Sequence, residues 1–151
     1  MGSSVVRRQR LTGTGYKASG SSLGLSARST HQLIRDLGKG LSFSALEALS
    51  KESAVPVSEI ASIMGIPERT LARRKAAGKL AASESERLLR ISRIFEQAVT
   101  LFAGDVSAAV AWLRKARPAL DGHTPLEYSA TELGAREVEN LIGQLEHGVF
   151  P

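Results

Sequence analysis

Six side chains between positions 69 and 79 carry the strongest chemical signal in the sequence: Arg69, Thr70, Arg73, Arg74, Lys75 and Lys79. A guanidinium reads guanine bidentately in the major groove, and lysine and threonine suit phosphate oxygens. The chemistry this cluster offers is recognition of a polyanion, without bond making. Other candidate sites are weaker. His31, His123 and His147 lie in three separate segments with no H-x₃-H or carboxylate spacing, which argues against a metal site. There is no cysteine, so thiolate ligands, cysteine nucleophiles and disulfides are excluded together. GTGYKASGSS at 13–22 has glycines and a lysine but lacks the G-x-x-x-x-G-K-[ST] phosphate loop and any strand before it. Asp121 and Glu127 flank a helix start, where carboxylates cap N–H groups, and Trp112 reads as core. No catalytic constellation and no cofactor site emerges, so the expectation is a binding protein, not an enzyme.

The elements that must position the basic cluster lie just before it. Residues 57–76 read VSEIASIMGIPERTLARRKA. A helix-turn-helix needs a small residue where two helices cross, a glycine able to take positive φ in the turn, and apolar residues locking the pair. Ala61 and Gly65 supply the first two, and Ile60, Met64, Ile66 and Leu71 take the inward positions. Pro67 sits at the start of the second helix, where its missing N–H costs little. Arg74 departs from the pattern, because it falls where a further apolar residue is usual; helix packing there differs, or Leu80 substitutes. An ordinary helical hairpin with a solvated basic face would carry the same charges, but spacing, turn glycine and basic helix agree on DNA.

The charge distribution points the same way. Residues 1–80 hold 13 Lys and Arg against 5 Asp and Glu, whereas residues 81–151 hold 7 against 10. A basic half suits a polyanion and a mildly acidic half suits another kind of partner. Residues 1–28, rich in Gly and Ser, read as a flexible arm. A first helix is expected over about 29–37, with Leu33, Ile34 and Leu37 on one side. A second opens at Ser42 or Ser44, with Leu46 and Leu49 sharing a face. Ser83 and Glu86 form an S-x-x-E capping box for a long helix over 84–103, whose Leu88, Ile91, Phe95, Ala98, Val99 and Phe102 keep helical spacing. Asp105 caps a further helix, Thr124, Pro125 and Glu127 start a short one, and Val138, Leu141, Ile142 and Leu145 mark a last one over 135–147. No period-2 alternation occurs, so the fold class is all-α: an arm (1–28), a helix-turn-helix domain (29–82) and a second helical domain (83–151). No apolar run is long enough for a membrane span, and no apolar block follows Arg7, Arg8 and Arg10 as a secretory signal requires. The expected location is the cytoplasm.

The end of the chain is unusual. Gly148 stops the last helix and leaves Val149, Phe150, Pro151 and a carboxylate to project. Burying Phe150 in a partner would be worth roughly 1.5–3 kcal/mol, and a carboxylate can pair with a partner arginine. Terminal apolar residues also commonly fold back on their own core, and the residues alone lean slightly that way.

Four strings break the tie: ESERLLR at 84–90, AVAWLRKARPAL at 109–120, DGHTPLEYSAT at 121–131 and GAREVENLIGQLEHGVFP at 134–151. They resemble the Xre/MbcA/ParS toxin-binding domain of antitoxins from bacterial RES–Xre toxin–antitoxin modules, and the 57–76 segment is similar to the Xre-like helix-turn-helix. Residues before about 40 match nothing in that family. The resemblance implies an antitoxin that forms a homodimer within a hetero-oligomeric complex, binds operator DNA to repress its own operon, and neutralises a RES-domain toxin that consumes NAD⁺. It also implies that the C-terminal segment, Glu146, His147, Gly148, Val149, Phe150 and Pro151, blocks the toxin's active-site entrance. The rival reading is a stand-alone dimeric helix-turn-helix transcriptional regulator whose C-terminal half only dimerises.

Overall fold

Residues 82–101 form the longest helix of the molecule, and the other elements are arranged around it. The computed structural model describes residues 19–25 and 29–148. Over these the chain is all-helical, with eight α-helices and, among the described residues, no strand beyond one isolated bridge between Ser42 and Lys79. They are α1 (Thr30–Lys39), α2 (Phe43–Ser53), α3 (Val57–Ile63), α4 (Glu68–Ala77), α5 (Ala82–Leu101), α6 (Val106–Leu113), α7 (Pro125–Tyr128) and α8 (Glu132–Glu146). Short 3₁₀ turns lie at Ser21–Leu23 and Pro118–Leu120.

A helix buried all round belongs at the centre of its fold, and α5 comes close to that. Leu88, Ile91, Ile94, Phe95, Ala98 and Val99 are buried, and so are the polar Ser85, Ser92 and Glu96. Helices α6 and α8 pack along it, while α1, α2 and the 3₁₀ turn at Ser21–Leu23 cover its other flanks. One continuous core results, running from Leu41, Phe43 and Leu46 through Ile60 and Met64 to Leu113, Val138 and Ile142. Each buried polar group of α5 has partners, as burial demands. The Ser85 hydroxyl accepts the Leu41 N–H at 2.8 Å and donates to the Ala81 carbonyl at 2.8 Å. The Ser92 hydroxyl donates to the Leu89 carbonyl at 2.7 Å.

Two expectations change here. The expected flexible arm includes Ser19 to Leu25, yet these residues are packed on the core: Leu23 is buried, and the Glu96 carboxylate accepts the Ser22 hydroxyl at 2.5 Å and the Ser22 N–H at 3.1 Å. A buried acceptor on α5 thus holds a segment whose composition looks like linker. The rest of the arm, 1–18 and 26–28, lies outside the described residues. The long helix also begins at Ala82 rather than 84, and its capping carboxylate is Glu84, which accepts the Ala81 N–H at 2.8 Å. Ser83 and Glu86 match the capping box in type but are exposed beyond the true start.

Two other start signals act as read: Asp105 accepts the Ala108 N–H at 3.0 Å, and Thr124 and Glu127 form a capping box around Pro125. A capping box of Ser29 and Gln32, not singled out in the sequence, starts α1. Helix α8 starts at Glu132, three residues earlier than expected, with Thr131 accepting the Gly134 N–H at 3.0 Å. His123 is a hydrogen-bonded loop residue whose ring stacks on Tyr128 at 5.4 Å.

The two glycines of α8 make opposite predictions. A Cβ on Gly134 would fall within the contact radius of the Tyr128 carbonyl oxygen, whereas one on Gly143 meets nothing within 4 Å. Gly143→Ala should therefore stabilise the protein by up to about 1 kcal/mol through helix propensity. Gly134→Ala should destabilise it by about 1–3 kcal/mol, because α7 and α8 must separate. Urea denaturation of the two variants beside the unmodified chain measures both signs.

Candidate functional site

The basic cluster is displayed by two helices that meet as the spacing requires. Ala61 is 1% exposed where α3 crosses its neighbours, and Gly65 takes φ 77° in the turn, a conformation costly for a residue with a Cβ. The Ile66 N–H bonds the Ala61 carbonyl at 2.9 Å, closing the turn. Ile60, Met64 and Ile66 are buried and Leu71 is half-buried against the same core. Pro67 is the N-cap residue of α4, in extended conformation, and Glu68 begins the helix.

Helix α4 has no fully buried residue. Arg69 and Arg73, one turn apart, are exposed, with Thr70 half-buried beside them. Lys75 lies on the flank of α4 that, with Glu68, lines a cleft against α2 and α3. Lys79 follows the left-handed Gly78 that ends the helix. Arg69, Arg73, Lys75 and Lys79 are all exposed. Arg74 differs. Its guanidinium pairs with Glu84 through Nε at 2.9 Å and a second nitrogen at 3.2 Å, and Glu84 is 7% exposed. Leu80 is buried, 3% exposed, while Arg74 is engaged within the protein.

Two further contacts tie the helix-turn-helix to the rest. Arg87 on α5 donates to the Met64 carbonyl at the end of α3 at 2.8 Å. Arg114, just after α6, pairs with Glu59 on α3 at 2.6 Å. Neither was legible beforehand, because the partners are 23 and 55 residues apart and belong to no local motif.

At the other end of the molecule, Glu146 closes α8 and His147 caps it, its N–H bonding the Gly143 carbonyl at 3.2 Å. Gly148 follows with φ 74°, and all three are exposed. Val149, Phe150 and Pro151 lie outside the described residues. Trp112 is buried, with the Arg117 guanidinium 5.1 Å over its ring. Among the described residues no group of three or more His, Cys, Asp or Glu could hold a metal, and no helix is long and apolar enough to cross a membrane.

Two family matches divide the chain inside α5. Residues 32–93 match the antitoxin Xre-like helix-turn-helix domain, and residues 97–148 match the antitoxin Xre/MbcA/ParS C-terminal toxin-binding domain. The chain is 37% identical over 129 residues to an antitoxin Xre of Yersinia enterocolitica, covering 85% of this chain and 87% of that one. It is 35% identical to an antitoxin Xre of Photorhabdus laumondii over 84% of this chain and 86% of that one. The chain belongs to the Xre antitoxin family. A third Xre antitoxin, of Pseudomonas putida, is 34% identical over 55% of this chain and 52% of its own length. As an Xre antitoxin the protein combines a helix-turn-helix domain with a toxin-binding domain, and neither is a catalytic module.

Two buried glutamates give this Xre antitoxin opposing pH responses. Burial pushes the Glu84 carboxyl up, but hydrogen bonds from Arg74 and the Ala81 N–H, with the charges of Arg74 and Arg87, outweigh it and hold Glu84 below its ordinary 4.5. Burial dominates at Glu96 and pushes its carboxyl up, although Ser22 and the Gly20 N–H oppose it. Glu84 therefore contributes stability that is present above its unfolded pKa and is lost as pH falls through its lower folded value. Glu96 contributes stability present below its unfolded pKa and lost as pH rises through its higher folded value. Melting temperatures measured from about pH 7 to 3 should fall less steeply in Glu84→Gln than in the unmodified chain, and more steeply in Glu96→Gln.

Proposed function

We propose that this antitoxin neutralises a RES-domain, NAD⁺-consuming toxin by placing Glu146, His147, Gly148, Val149, Phe150 and Pro151 in the entrance of the toxin's active site. The observation that carries this reading is the end of α8: the helix stops at Glu146, and Glu146, His147 and Gly148 are exposed instead of joining the core. The toxin-binding domain ends at the same place, with its family match running to residue 148. In this reading residues 29–82 serve DNA, residues 83–151 serve the toxin, and the protein acts in the cytoplasm as a homodimer within the toxin–antitoxin complex.

The second activity is repression of its own operon through α4. Arg69, Thr70 and Arg73 face base edges or the adjacent phosphates, and Lys75 and Lys79 neutralise backbone; Arg74, expected beside these lysines from the sequence, is paired with Glu84 instead. A two-fold dimer places two copies of α4 on a palindromic operator. With about four phosphate contacts per recognition unit, log affinity falls with log salt at a slope near −3.6.

Each half is separately testable. Deleting Gly148 to Pro151 should leave folding and DNA binding intact but abolish rescue of cells co-expressing the adjacent toxin; continued rescue by the truncated chain overturns the plug. The double variant Arg69→Ala, Arg73→Ala should bind the promoter more weakly, with a salt slope shallower by up to about 1.8. Unchanged promoter binding by that variant removes α4 from the DNA interface.

A further inference from the structure

Helix α4 is held in place by very little. It buries no residue fully, and Leu71 is its one apolar side chain packed against the core. Beside Leu71 the helix borders a cleft of about 320 Å³ lined by Phe43, Val57, Leu71 and Ala72, with Glu68 and Lys75 at the rim. Close-packed apolar side chains usually set the angle between two helices, and α4 contributes only Leu71 to such packing.

Polar contacts from the first turns of α5 take their place. Glu84 and Arg87 are three residues apart and so share one face of α5. Glu84 grips α4 through the two-pronged pair with Arg74, at 2.9 and 3.2 Å. Arg87 grips the end of α3 through the Met64 carbonyl at 2.8 Å. Glu84 also caps α5 by accepting the Ala81 N–H, so its carboxylate is fixed from two sides. Swinging α4 away would strand a largely buried carboxylate without its cation, which is strongly unfavourable. A bidentate guanidinium–carboxylate pair also fixes direction as well as distance.

We infer that Arg74 and Glu84 are positioning residues that set the angle at which α4 meets DNA, and that Arg74 is not itself a phosphate contact. The inference rests on the DNA-binding reading above and refines it: base and phosphate contacts belong to Arg69, Thr70, Arg73, Lys75 and Lys79, whereas Arg74 acts through Glu84. It also explains why an arginine replaces the usual apolar residue here. The fixed partner sits in the first turn of α5, within the residues that match the helix-turn-helix domain, so the recognition helix takes its orientation from the N-terminal end of the central rod.

Salt dependence separates positioning from phosphate contact. The probes are a duplex taken from immediately upstream of the chain's own reading frame and a random duplex of equal length, with full-length protein. Glu84→Gln and Arg74→Met should each weaken binding to the upstream duplex by about tenfold. The salt slope should not change, nor should affinity for the random duplex, and the double variant should be no worse than either single one. The swap Arg74→Glu, Glu84→Arg should recover part of the loss. If Arg74 contacts phosphate instead, Arg74→Met makes the slope shallower by about 0.9, and Glu84→Gln, which removes a neighbouring negative charge, tightens binding. Either result overturns the inference and leaves the DNA-binding reading standing. Glu84→Gln keeps Arg74 and can donate or accept at the same site, so it decides the matter even if Arg74→Met does not fold. An unmodified protein that binds the upstream duplex no better than the random one overturns both.

Discussion

Burial of α5 on nearly every side is the constraint from which the rest follows. A 20-residue helix can lose its water only if other elements cover all of its flanks, and here those elements come from both halves of the chain. α1, α2 and the Ser21–Leu23 turn cover part of it, and α6 and α8 cover the remainder. The helix-turn-helix and toxin-binding halves therefore share one core and one central rod. Leu88, Ile91, Ile94, Phe95 and Val99 each contribute roughly 1.5–3 kcal/mol of burial, and their loss would be felt in both halves together.

Polar groups on that rod do a different job from the apolar ones. Apolar burial says that elements must cover α5, but with little preference for where each stops. Ser85, Glu84, Arg87 and Glu96 specify this: the first takes the Leu41 N–H, the next two hold α4 and α3, and the last binds the Ser22 turn. Each is directional, and each pays for its own desolvation only in one geometry. Opposite pH responses at Glu84 and Glu96 follow from the same balance, since cation and hydrogen bonds win at one site and burial wins at the other.

An antitoxin of this family combines a helix-turn-helix domain with a toxin-binding domain. Here α5 runs through the boundary between the two matches and is packed by elements of both. The Arg114–Glu59 pair adds a second link between α3 and the toxin-binding half at 2.6 Å. It is the more exposed of the two links, and an ion pair in that setting is worth about 1 kcal/mol or less. The rigid connection is the one made by α5.

Much of this was legible in the residues. Helix starts marked by Asp105 and Thr124 are local, because a cap is satisfied by N–H groups two or three residues away. The helix-turn-helix was readable because Ala61 and Gly65 answer steric demands of the backbone itself, and the Xre resemblance came from strings such as DGHTPLEYSAT that keep their spacing. What the residues could not declare was any partnership across the chain. Ser83 and Glu86 satisfied the capping pattern in type, whereas the helix starts after Ala81, which has no capping side chain, and Glu84 there accepts the Ala81 N–H and pairs with Arg74. A Gly- and Ser-rich stretch read as linker until a buried carboxylate, 74 residues away, claimed Ser22. Local sterics and periodicity are properties of neighbours in sequence and can be read from them; which buried charge meets which guanidinium is decided only once the helices have packed.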